Sequence, residues 1–122
     1  MVYFLTVGTP IMAVKVGMLA ITQKTTPRSA LVRRLSSIQS SNHELVEVLG
    51  VVYVTEGEYP TRAAEDLERQ LHIEFQHLAR FKTGTRGAEW FSSSPELLAR
   101  LKGIATPPEA FGFPRAVSAL IE

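Results

Sequence analysis

The apolar positions of this chain change period along its length, and each change marks an element. Val2-Tyr3-Phe4-Leu5-Thr6-Val7 is a run of aromatic and β-branched side chains, Gly8-Thr9-Pro10 breaks it, and Ala13-Val14-Lys15-Val16-Gly17 resumes it. Such runs favour strands, while Gly accepts positive φ and Pro fixes its own. Strands this close in sequence pair antiparallel, so a hairpin is expected over Val2–Gly17. A spacing of three and four then takes over. Leu31, Leu35 and Ile38 lie on one helical stripe, and Thr26-Pro27 ahead of them reads as an N-cap followed by proline at the first helical position. This helix is predicted from Pro27 to Ser40 or Ser41. Leu45 to Thr55 (LVEVLGVVYVT) returns to strand character as the longest strand, with Gly50 marking a bulge or bend.

Glu56-Gly57-Glu58-Tyr59-Pro60 is a loop, and Thr61 is the expected cap of the strongest periodic element, a helix from about Arg62 to Phe81. Its stripe is Ala64, Leu67, Leu71, Phe75 and Leu78. Lys82 to Glu89 (KTGTRGAE) is a Gly-containing loop, and Trp90-Phe91 is core that closes the sheet. Ser94 caps a short helix with Pro95 first and with Leu97, Leu98, Leu101 and Ile104 inward. Thr106 to Pro114 is irregular, and Arg115 to Ile121 adds a final turn or two of helix. The expected fold is α+β: a small three-stranded antiparallel sheet flanked by helices, in the order β-β-α-β-α-α. Residues 1–104 make the domain, and residues 105–122 are an extension that packs on it.

Composition narrows the class. The chain has 122 residues, of which 45% are hydrophobic and 20% charged, enough for one folded domain with a modest core. Thirteen basic and twelve acidic residues give a formal charge of +1, so any nucleic-acid contact must come from a local patch. The absence of cysteine excludes disulfides, thiol catalysis and Cys-ligated zinc. No apolar run approaches the roughly 20 residues that span a bilayer, and MVYFLTVG lacks the basic start of a secretory signal. A cytoplasmic protein with no membrane partner is expected.

A few polar residues interrupt the apolar patterns. Arg34 is three after Leu31 and four before Ile38, on the buried stripe, where a guanidinium needs an anion. A structural salt bridge to Glu68 or Glu65 and a bound phosphate account for it equally well. Glu68 and His72 are four apart and share one edge of the long helix. His72 reads more readily as a hydrogen-bonded histidine at the core edge than as a metal ligand, and His72 with His77, five apart, makes no zinc motif. Lys15, between Val14 and Val16, reads alone as a solvated strand lysine, and Tyr3 as an ordinary strand tyrosine. Arg80, Lys82 and Arg86 flank the Gly loop as a solvated surface or as phosphate contacts. No phosphate-binding glycine loop or Ser-His-Asp arrangement is present.

Taken in series, these residues resemble the GIY-YIG nuclease superfamily, most closely its phage and fungal-meiotic branch. The matches are Val2-Tyr3, Val14-Lys15-Val16-Gly17, Arg34-Leu35 with Ile38-Gln39, Glu68-Arg69-Gln70-Leu71-His72, and Glu89-Trp90-Phe91. The resemblance implies a metal-dependent endonuclease that hydrolyses a DNA phosphodiester. It assigns Tyr3 as a candidate base, Lys15 to the second motif's tyrosine position, Arg34 as the cation for the phosphorane, and Glu68 as the carboxylate for one Mg²⁺ or Mn²⁺. Gly17 and His72, with Lys82 and Arg86 on the loop, are the expected substrate-contacting positions. A phenol of pKa about 10 is a weak base, and a neighbouring ammonium favours its phenolate. Arginine offers a forked donor to phosphate oxygens.

The sequence departs from the branch in two places. Gly17 is followed by Met18-Leu19-Ala20-Ile21 with Thr22 late, which implies an altered loop, and no asparagine follows Asn42. A nuclease-derived module that grips nucleic acid or protein without cutting is the alternative, and an unrelated α+β interaction domain the third. Sequence specificity would come from a homodimer or a partner protein. The nuclease reading expects Tyr3, Lys15, Arg34 and Glu68 to converge on one face of the sheet around a phosphate-sized cavity.

Overall fold

Each strand of the hairpin carries apolar side chains on both faces, so its sheet has to be covered on both sides. The structure, a computed structural model, describes residues 1–8, 10–21, 24–42, 44–54, 60–80 and 90–113. Strand β1 (Val2–Val7) pairs antiparallel with β2 (Ala13–Met18), from Val2 opposite Met18 to Val7 opposite Ala13. Gly8 takes the positive φ of 93° that the turn needs, and Met12 N–H donates to Val7 O at 2.8 Å. The ladder runs on beyond Met18, because Leu19 N–H donates to Met1 O at 2.8 Å. The second strand is therefore regular past Gly17; Thr22 lies outside the described residues.

Helix α1 (Pro27–Gln39) begins as its sequence predicts. Thr26 Oγ1 accepts from Ser29 N–H at 3.1 Å, and Ser29 Oγ accepts from Thr26 N–H at 3.1 Å, a reciprocal cap with Pro27 in the first turn. At the other end the Gln39 amide clips the helix to the next strand. Its Nε2 donates to Glu44 O at 2.9 Å and its Oε1 accepts from Val46 N–H at 2.7 Å. Strand β3 (Val46–Val52) then runs antiparallel to the other edge of β1. Its register shifts between Phe4 and Leu5: Phe4 pairs with Gly50 and Leu5 with Val48, so Leu49 is the extra residue of a bulge.

Helix α2 (Pro60–Glu74) is shorter than its apolar stripe suggests, and it includes Thr61 in its first turn, where a cap was expected. The chain leaves the α-helix at Phe75, makes one 3₁₀ turn over Gln76–Leu78, and straightens. The cause is tertiary. Ala79 forms an isolated antiparallel bridge with Phe91, and Arg80 N–H donates to Trp90 O at 3.0 Å. Trp90-Phe91 is not simply core, because Trp90–Ser92 forms a short strand, β4, paired antiparallel with β2. The expected three-stranded sheet is thus four-stranded, in the order β3-β1-β2-β4, and the element order gains a strand before the last helix. Helix α3 (Pro95–Ile104) follows, capped by Ser94 Oγ accepting from Leu97 N–H at 3.1 Å.

The sheet separates two cores. Against one face lie Ala64, Leu71 and Phe75 from the α2 segment and Leu97 and Leu101 from α3, packed on Val2, Phe4, Val14, Val16 and Phe91. Against the other lies Leu31 of α1, packed on Tyr3, Leu5, Val46, Val48 and Val51. The chain then returns to the β3 edge, where Thr106 exchanges backbone hydrogen bonds with Val51 at 2.8 and 3.1 Å. A Cβ on Gly50 would sit 2.6 Å from Ala105 Cβ, so glycine is what admits this approach. A 3₁₀ turn at Pro108–Phe111 delivers Phe113 into the α1-side core. The expected helical turn over Arg115–Ile121 lies outside the described residues. No helix among the described residues is long and apolar enough to cross a membrane.

Candidate functional site

Side chains alternate across a strand, and directly opposed residues share a face. Val14 and Val16 belong to the α2-side core, so Lys15 and Gly17 point to the α1 side, with their partners Leu5 and Tyr3. Tyr3 lies opposite Gly17 and is 0% exposed. Its ring lies across the glycine: a Cβ on Gly17 would fall 2.4 Å from both Tyr3 Cζ and its hydroxyl oxygen. No larger residue fits there while the phenol stays in place.

Arg34 reaches this phenol from α1. Its Nη1 donates to Tyr3 Oη at 3.3 Å, across 31 positions of sequence. The arginine itself is exposed, and it pairs with no carboxylate among the described residues. The structural salt bridge to Glu65 or Glu68 is therefore not what holds it. The helical stripe points Arg34 inward at its root, and the hydroxyl of a strand residue takes up its tip.

Lys15 is 9% exposed, which corrects its reading as a solvated strand lysine. It stands opposite Trp90 in the β2–β4 pairing, and its Nζ lies 5.7 Å from the Trp90 ring centroid. That distance is within cation–π range. Lys15 and Tyr3 are diagonal neighbours on the same sheet face, a separation of about 7–8 Å between side-chain origins in such pairs.

Glu68 comes from the other side of the sheet. It lines a cavity of about 500 Å³ with Met18, Glu65, Arg69, His72, Ile73, Gln76, Ala79 and Phe91. Neither Tyr3 nor Arg34 is in that wall. His72, one turn after Glu68, donates from Nε2 to Val16 O at 2.9 Å and stacks edge-on against Phe91, 5.2 Å between ring centroids. It is the hydrogen-bonded core-edge histidine the spacing favours. Among the described residues, Val16 is one position beyond those of β2 that pair with β4. Tyr3, Lys15, Gly17 and Arg34 thus share one sheet face, and Glu68 with His72 approaches the β2 edge from the helix on the opposite face, so the expected convergence of Glu68 with Tyr3, Lys15 and Arg34 on one face is not met. No group of three or more His, Asp or Glu residues suited to a metal ion occurs among the described residues.

Lys82, Arg86 and Glu89 lie outside the described residues. The clip formed by Gln39 went unread in the sequence beyond its place in a motif; its signal was an amide one residue past a helical stripe and just ahead of a strand. No family model, no curated protein and no solved structure matches the chain.

Proposed function

We propose that this chain is a GIY-YIG-type endonuclease domain that hydrolyses a DNA phosphodiester with one divalent ion. The observation that carries the reading is the Tyr3–Arg34 hydrogen bond above Gly17. It joins residues of three separate motifs of the resemblance, from two strands and a helix, at a surface where the arginine is open to solvent. Arg34 presents a forked donor to non-bridging phosphate oxygens and stabilises the charge that builds there during in-line attack. Lys15, held against Trp90, adds a cation on the same face. Glu65 and Glu68 both wall the cavity beside β2. Mg²⁺ takes one or two carboxylates and leaves its other positions to water and phosphate, so this donor set fits Mg²⁺ or Mn²⁺ with Glu68 as ligand. When bound, the ion would polarise the phosphoryl oxygen and lower the pKa of its water.

The test is conversion of supercoiled plasmid to open circles with Mg²⁺ or Mn²⁺. Arg34→Ala and Glu68→Gln are each expected to lose about a hundredfold or more in rate, and chelation should stop the reaction. Equal nicking by all three proteins would identify a contaminant and reject the reading. DNA binding without nicking would favour the second reading, a module on the same fold that grips nucleic acid without cutting. One observation supports that second reading: α2 packs on the sheet face opposite Tyr3 and Arg34. In either case, sequence preference is expected to come from a second copy or a partner protein.

A further inference from the structure

A general base has to lie within hydrogen-bond reach of the water it activates, directly or through one more water. Tyr3 does not meet that condition in this structure. It is 0% exposed, its ring is packed in the α1-side core with Leu5 and Leu31, and its hydroxyl already receives the Arg34 guanidinium. Arg34, by contrast, is exposed to solvent.

We infer that Tyr3 is a positioning residue: its hydroxyl holds the Arg34 guanidinium at the sheet surface, and Gly17 is the gap that lets the phenol lie where it can do so. The inference rests on the nuclease reading and deepens it by removing Tyr3 from the role of base. A long arginine on an exposed helix face samples many rotamers, and an anion that binds it has to select one. Anchoring one Nη on a buried, rigid phenol fixes the fork beforehand and leaves its remaining donors for phosphate. The anchor needs the ring flat against β2, and a Cβ at position 17 would lie 2.4 Å from Tyr3 Oη and push it aside. Gly17 therefore acts on Arg34 through Tyr3, with no contact of its own to substrate required.

Tyr3→Phe keeps the ring over Gly17 and removes the hydroxyl alone. In plasmid nicking with Mg²⁺ it is expected to lower the rate about tenfold, to leave the pH–rate profile unchanged in shape, and to cost nothing further when Arg34 is already alanine. Gly17→Ala should reproduce that loss and add little to Tyr3→Phe. A loss of about 10²- to 10⁴-fold, the size of a removed general base, together with disappearance of the limb on which rate rises with pH, would overturn the inference. So would a Tyr3→Phe loss that persists in full beside Arg34→Ala. If the wild type does not nick, the endonuclease reading fails separately, and the wild type, Tyr3→Phe, Arg34→Ala and the Tyr3→Phe/Arg34→Ala double variant are compared for affinity to a fluorescein-labelled DNA duplex. Tyr3→Phe should then weaken binding only where Arg34 is present. If the duplex is not bound, urea unfolding of the set decides: non-additive midpoint losses support the anchor, and strictly additive ones reject it.

Discussion

Thr6 is 1% exposed and its Oγ1 has no hydrogen-bond partner among the described residues. It alternates with Val2 and Phe4, so its hydroxyl faces the apolar core beneath α2 and α3. An unsatisfied buried hydroxyl costs about 1–3 kcal/mol, and valine has nearly the same shape. Thr6→Val is therefore expected to raise stability by about that amount, read as a higher urea midpoint at unchanged slope. An unaltered midpoint would mean that the hydroxyl finds a partner in solution. Lys15 shows the opposite economy at the same scale. Its ammonium is also taken from water, but the Trp90 face gives it an electrostatic partner. Both residues sit between aliphatic neighbours in a strand; their surroundings distinguish them.

Helix α1 shows how much of an element's definition lies at its ends. The Thr26–Ser29 pair satisfies the first turn, and Asn42 Nδ2 donates to Ile38 O at 2.7 Å beyond the last. Gln39 does more than finish a helix, because it supplies the donor and acceptor that a neighbouring strand would offer to Glu44 and Val46. Gln39→Ala would leave the amide of Val46, a 4%-exposed residue, without that acceptor. The expected loss is about 1–3 kcal/mol, larger than the roughly 1 kcal/mol of removing the cap with Thr26→Ala, when both are measured by thermal or urea unfolding. Equal losses would show that water replaces the clip. In α2 the stripe persists through Leu78 although the α-helix ends at Glu74, because the 3₁₀ turn keeps Leu78 against the core while Ala79 turns to meet Phe91. Arg100 Nε donates to both Glu74 oxygens at 3.3 and 3.4 Å and ties that end to α3. Being partly exposed, the pair is worth about 1 kcal/mol or less.

At the scale of the whole molecule, one sheet serves two separate cores, and the segment after α3 closes the second. Thr106 covers part of the β3 edge and Phe113 fills the α1-side core, so a domain ending at residue 104 lacks both. A chain truncated after Ile104 is expected to lose about 3–5 kcal/mol, the cost of removing a buried phenylalanine from a core. It should also self-associate through the opened β3 edge. Thermal unfolding and sedimentation check the two effects, and a truncated chain that melts with the full one as a monomer would assign residues 105–113 no part in the fold. The candidate site depends on the same arrangement. Arg34 meets Tyr3 because Leu31 seats α1 on β1 and β3, and Phe113 packs into that same core.

The sequence by itself determined the local elements: the hairpin around Gly8, the capped starts of α1 and α3, the strand β3, and the stripe of α2. Caps, turns and periodicity are short-range, and they are written in residues close together. It also placed Tyr3, Lys15, Gly17, Arg34 and Glu68 on named elements. Tertiary structure alone decided which of them meet. β4 is three residues long, too short to show alternation, and exists because β2 and Ala79 pair with it on both sides. The 48–51 offset that puts Val48 and Val51 in one core follows from a bulge set by pairing with β1. Arg34 finds a phenol rather than a carboxylate, and Glu68 comes from the far side of the sheet, because facing and distance are set by which sheet face each helix covers.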